Sequence, residues 1–253
     1  WSEAVDGQSG ELGYNGVRPD PEKPLRISGK KITIRAAKGF RPVIDFSLRE
    51  NLAAGQTSRM ISVVGGALEL NHVEVRLTVG DQFVMRDGES AALVALSGAE
   101  QLRLQGVVIT MMNPANRPLS VIEVAALPGS AMSKMKMMTG AMPATRPRFD
   151  IKLVDSLVRG NADLVSVRHT NAGQIDIDQS AISIEGALIA ELGGSEMAQP
   201  ESSLRVHLEH VTAFVGNSLL RVESGDAPRE LLPVSIQARN NLIGSRTPAP
   251  LVA

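Results

Sequence analysis

Residues 203–215 read Ser203-Leu-Arg-Val-His-Leu-Glu-His-Val-Thr-Ala-Phe-Val215, and their alternation decides the fold. Apolar side chains fall at Leu204, Val206 and Leu208. Two polar residues follow, Glu209 and His210, and alternation resumes at Val211 and Ala213. A strand presents one face at every second residue, so the stretch reads as strand, sharp corner, strand.

The same unit recurs along the chain: an inward-outward-inward triplet, two polar or small residues, then a second triplet. First triplets start at Leu68, Leu102, Ile151, Ile175, Val206 and Ile236, with Ile32-Thr33-Ile34 an earlier, imperfect copy. Second triplets start at Val73, Val107, Ser156, Ser180, Val211 and Asn241. The corner residue before each is His72, Gly106, Asp155, Gln179, His210 or Asn240. Gly, Asn and Asp tolerate the left-handed backbone that a one-residue corner needs. A third apolar segment precedes most copies, at 60–63, 93–96, 121–124, 164–167, 188–192 and 219–222. Each unit thus carries three short strands and no helical stripe, which argues against alternating strand-helix folds.

Such units stack most simply as an all-β, parallel β-helix, each strand pairing with its equivalent about 4.8 Å along the axis. Roughly seven three-stranded coils would make a rod about 35 Å long. The spacing from Ile151 to Ile175 is close to the minimum for one coil, so longer spacings require loops, expected at 47–58, 78–90, 128–148 and 193–202. A coil buries about six aliphatic side chains at roughly 1.5 to 3 kcal/mol each. Ordering its backbone costs about 1 to 2 kcal/mol per residue, so one coil cannot fold alone.

The predicted organisation is a flexible or partial N-terminal segment, residues 1–24, followed by one β-helix domain over 25–253. The start at Trp1 and the apolar end Pro250-Leu251-Val252-Ala253 lead us to expect a fragment of a longer chain. Net charge is -1, so no strong field favours nucleic acid. No apolar run approaches the roughly 20 residues that span a bilayer, and no signal-peptide pattern opens the sequence. The chain has no cysteine, which excludes disulfides and thiolate metal sites. Aromatic residues make up 3%, so aliphatic side chains must fill the core.

Residues Gly29-Lys30-Lys31-Ile32-Thr33-Ile34-Arg35-Ala36 and Gly39-Phe40-Arg41-Pro42-Val43-Ile44, with Asp155-Ser156-Leu157-Val158-Arg159-Gly160 and Asn240-Asn241-Leu242-Ile243-Gly244, carry a family resemblance. The repeats resemble the right-handed parallel β-helix superfamily that includes pectin lyases. They resemble more closely the β-helical regions that follow the kinase domain in planctomycete serine/threonine protein kinases. That resemblance implies a non-catalytic appendage, an interaction or sensor module, often placed outside the cytoplasm beyond a membrane anchor. The chain itself has neither a His-Arg-Asp catalytic loop nor an Asp-Phe-Gly motif, so any kinase activity would lie outside it.

The outward residues of the first triplets, Glu69, Arg103, Lys152, Asp176, His207 and Gln237, should stack with Glu69 beside Arg103 and Lys152 beside Asp176. The simpler reading is a charge ladder on a solvated face. The alternative is a carbohydrate-active β-helix, a lyase, hydrolase or glycan binder. In it Asp176 and Asp178 would hold Ca²⁺ and Lys152 or Arg103 would act as base. Asn161-Ala162-Asp163 resembles part of a polygalacturonase motif whose other parts are missing. His72 and His210 share the corner position three coils apart, and His207 and His169 find no third ligand, so no metal or other cofactor is assigned. Met132, Met135, Met137, Met138 and Met142 crowd one loop and read as an adaptable packing surface. The outward positions Val108, Leu157, Ala181 and Leu242 form an apolar stripe on a solvent face. This stripe points to binding, with a protein or the rest of the parent chain as partner, and to no catalytic residue.

Overall fold

Six successive coils turn on a left-handed residue. The φ angles are 55° at His72, 61° at Gly106, 50° at Asp155, 47° at Gln179, 53° at His210 and 55° at Asn240. These are the six corners expected from the repeat. The computed structural model describes residues 9–18, 22–48, 58–85, 90–97, 100–125, 148–194, 198, 201–223, 230–246 and 252. The methionine cluster at 132–142 and the central parts of the four expected loops lie outside these residues.

The first coil holds β1 (Ser9–Leu12), β2 (Gly16–Val17) and β3 (Leu25–Ser28), and the second β4 (Lys31–Ala36), β5 (Pro42–Leu48) and β6 (Arg59–Val64). The third holds β7 (Ala67–Asn71), β8 (Glu74–Val79) and β9 (Ala91–Leu96), and the fourth β10 (Gln101–Gln105), β11 (Val108–Met112) and β12 (Leu119–Ala125). The fifth holds β13 (Arg148–Val154), β14 (Leu157–Gly160) and β15 (Asp163–Arg168), and the sixth β16 (Ala172–Asp178), β17 (Ala181–Ile184) and β18 (Ile189–Glu191). The seventh holds β19 (Leu204–Glu209), β20 (Thr212–Val215) and β21 (Leu220–Val222), and the eighth β22 (Val234–Arg239) and β23 (Leu242–Ser245).

Every strand pairs in parallel with its equivalent one coil away, as in β13 with β16, where Ile151 faces Ile175. Sheet A runs from β1 to β22 and sheet B from β2 to β23, with eight strands each; sheet C runs from β21 to β3 with seven. The molecule is an all-β, right-handed parallel β-helix. Its coils begin earlier than Leu25. β1 pairs with β4 and β2 with β5, within the segment expected to be a flexible lead-in. Leu12 is buried there, and the Tyr14 hydroxyl donates to the Val43 carbonyl at 3.1 Å, which ties this polar, glycine-rich stretch to the second coil.

The interior is one aliphatic column, with Leu68, Leu102, Ile151, Ile175 and Val206 stacked at equivalent positions of sheet A. Just past the corner, some inward positions are polar. Ser156 Oγ accepts from the Val107 amide at 3.1 Å, Ser180 Oγ from the Ser156 amide at 3.1 Å, and Asn241 Oδ1 from the Val211 amide at 2.7 Å. These side chains satisfy amides that the turn removes from the sheet ladders. The last coil is thinner: Val234, Ile236 and Ile243 are only half-buried. Val252 makes one parallel bridge to Leu220, on the free side of β21.

Candidate binding face

Sheet B presents its outward side chains in two principal columns. The first runs Val43, Glu74, Val108, Leu157, Ala181, Thr212, Leu242, each residue paired with the next. Val108, Leu157 and Ala181 therefore sit side by side on three adjacent coils. Leu242 lies two coils beyond Ala181, with Thr212 between, and is 70% exposed. The structure brings together three of the four stripe residues and sets the fourth apart by one hydroxyl.

The second column runs Asp45, Arg76, Thr110, Arg159, Ser183, Phe214, Gly244. Alternation along β14 puts Leu157 and Arg159 on the same outer face, two residues apart. Arg76 is neutralised by Glu74 at 2.7 Å. Arg159 is exposed, and its Nε donates to Thr110 Oγ1 at 3.1 Å. It has no carboxylate partner among the described residues. Phe214 is 42% exposed; its ring lies against Gly244 and under the Arg246 guanidinium, which also pairs with Glu185. A side chain at position 244 would crowd that ring, since a Cβ there would sit 3.2 Å from Phe214 Cδ2.

Beside these columns runs an open groove of about 700 Å³. Its floor includes Thr110, Met112, Arg159 and Ser183, and its walls include Asp81 and Glu185. The wall is built rigidly. Asn113 Nδ2 donates to the Arg117 and Asn161 carbonyls at 2.8 and 3.1 Å, and Asn161 Nδ2 returns bonds to the Asn113 carbonyl and Asn116 Oδ1 at 3.2 and 3.0 Å. Arg117 donates to the Gly80 and Asp81 carbonyls and lies over the Phe83 ring. Asn161 thus serves as a cross-coil tie, and Asp163 is paired with Arg221 on sheet C.

Two charged clusters lie on the outer face of sheet C, in and beside segments read as apolar strands, and the sequence reading paired none of their residues. Glu123 is fully buried; Arg59 Nε meets it at 2.7 Å, Arg168 Nε at 3.4 Å, and the Ser90 hydroxyl donates to it. Arg221 clasps Asp163 with two bonds, 2.8 and 3.2 Å, and the Ala187 amide donates to the same carboxylate at 2.8 Å. Burial still holds the Asp163 carboxyl above its ordinary range, against the pull of Arg221. Each clasp skips one coil, over the small buried Ala95 or Ala190, which leaves room for an arginine to span two coils. A Glu or Asp in a strand whose neighbouring coil carries Ala is the signal that would have found them.

Glu191 is a third such case, with a different environment. It lies at an inward position, between Val167 and Val222. Its Oε1 accepts from the Leu232 amide at 3.3 Å, the Gly193 amide also donates to the carboxyl, and Oε2 has no partner among the described residues. Burial pushes this carboxyl up to about 7.

On sheet A the expected ladder forms. Arg103 Nε lies 3.8 Å from Glu69, and Lys152 Nζ 3.8 Å from Asp176. Asp176 also takes two bonds from Gln174 Nε2, both 2.9 Å, and lies 3.0 Å from His207 Nδ1. Asp178 lies 3.6 Å from His210. Of the pair considered as Ca²⁺ ligands, Asp176 is thus already engaged by donors of this sheet, whereas Asp178 has only the longer approach of His210. His72 and His210 are four coil steps apart, about 19 Å. Among the described residues, no group of three or more His, Asp or Glu is placed to hold a metal ion, and no helix is long and apolar enough to cross a membrane. No family model matches the chain, and a search of curated proteins returns no match.

Proposed function

We propose that this chain is a non-catalytic interaction module of a larger protein, with the outer face of sheet B as its contact surface. The observation that carries the reading is the run of Val108, Leu157 and Ala181 on adjacent coils of a solvent-facing sheet, continued by the exposed Leu242. The outer face of a half-buried strand ordinarily carries polar side chains, and apolar ones there are stabilised when a partner covers them. The partner is a protein or the remainder of the parent chain. The resemblance of residues 29–36, 39–44, 155–160 and 240–244 supports placing the module in the pectin-lyase-like superfamily, as the appendage of a serine/threonine kinase.

The test has two steps. The native polypeptide, recovered from its source, should be far larger than 26.9 kDa and yield kinase peptides on digestion. The separately expressed remainder of that polypeptide should then bind this chain, and Leu157→Glu with Leu242→Glu should weaken binding by at least about tenfold. Association unaltered by the double substitution would sink the reading. The carbohydrate-active alternative draws on the resemblance alone, and the engagement of Asp176 by Gln174, His207 and Lys152 counts against it.

A further inference from the structure

The groove beside the apolar column has a charge pattern that specifies a ligand. Of its charged lining residues, Glu185 is neutralised by Arg246. That leaves Arg159 and Asp81, one of each sign, without ionic partners among the described residues. Both are held in place. Thr110 fixes Arg159 through its Nε, and Arg117 pins the backbone at Asp81. Thr110 occupies only Nε, so the two terminal nitrogens remain as a planar fork, the geometry that clasps a carboxylate. Asp81, on the wall, is exposed and complements a cation. Met112 in the floor, on the fourth coil and 42% exposed, supplies apolar surface between them.

We propose that this groove binds an extended peptide segment of a partner protein, with an acidic side chain on Arg159, a basic one on Asp81 and an apolar one against Met112. The inference rests on the interaction-module reading and names its ligand. Two features favour peptide over polysaccharide. A polyuronate offers carboxylates alone and would meet Asp81 with like charge, whereas a peptide carries both signs. The groove also runs along the solenoid axis from Asp81 on the third coil to Glu185 on the sixth. Three coil steps are about 14 Å, the reach of about four extended residues.

The probe is a fluorescein-labelled peptide repeating Leu-Glu-Ser-Lys, titrated with the chain and followed by anisotropy. Saturable binding is expected. Arg159→Ala should weaken it about tenfold, and Asp81→Ala about threefold, with circular dichroism unchanged. A probe with Gln in place of Glu should bind weakly and be indifferent to Arg159→Ala. Oligogalacturonate should not displace the peptide. The absence of saturable binding, equal binding by Arg159→Ala, or displacement by oligogalacturonate would each overturn the proposal. Loss of binding in Leu157→Glu without loss in Arg159→Ala would also overturn it, while leaving the apolar column as the contact surface and the module reading intact.

Discussion

Replacing Glu191 with Gln should make the fold more stable at neutral and alkaline pH and leave it nearly unchanged in mild acid. The carboxyl is fully buried; among the described residues it is bonded only by two backbone amides, and one of its oxygens has no partner. The charged groups on the elements around it are turned to other partners. Arg168 reaches Glu123, Arg221 reaches Asp163, and Glu223 pairs with Arg221. Burial therefore raises the carboxyl from 4.5 to about 7. In the unfolded chain the group ionises near its ordinary value, while the folded chain keeps the proton until about 7. Between those values the folded state binds more protons, so stability falls as pH rises through that window and the full penalty stands above it. The shift corresponds to about 3 kcal/mol, or roughly 6 to 12 °C in Tm for a chain of this size. Gln matches the protonated acid in shape and cannot ionise. Urea unfolding of both proteins, followed by circular dichroism from pH 4 to 8.5, should show a difference near zero at the acid end that grows to about 3 kcal/mol at the alkaline end. A difference independent of pH would refute the reasoning.

Three further outcomes follow from local geometry. Gly160→Ala should destabilise by roughly 3 kcal/mol, because φ is +118° and a Cβ would lie 2.0 Å from the Met111 carbonyl oxygen; chemical denaturation reads it directly. Gln179→Val should cost about 1 to 2 kcal/mol at the left-handed corner, and Gln179→Gly should cost nothing, a contrast that thermal unfolding of the pair will show. Glu123→Ala should cost about 3 kcal/mol by stranding Arg59 and Arg168; a double-mutant cycle with Arg59→Met should recover part of it.

The repeat was legible in the sequence because strand alternation and the left-handed corner are local. Leu204, Val206 and Leu208 must face one way, and a corner at His72, Asp155 or Asn240 needs only its own backbone. The sheet A ladder was legible for a related reason. Parallel stacking in fixed register converts equal positions in the repeat into neighbours, so Glu69 meets Arg103 and Lys152 meets Asp176.

The rest depended on which distant coils and loops meet. Residues 9–17 look like a loose glycine-rich segment until β4 and β5 offer edges to pair with. The clasp of Arg221 on Asp163 spans 58 residues and two coils, and nothing near either residue announces the other. Glu123 and Glu191 sit in similar apolar strands, yet among the described residues one is met by two arginines and the other by backbone amides. The sequence by itself determined the period, the corners and the inward columns, because those follow from short-range backbone geometry. Only the tertiary structure decided the groove, the two of its charges that meet no ionic partner among the described residues, and the surroundings of Glu123, Asp163 and Glu191. Those depend on contacts between coils far apart in the chain.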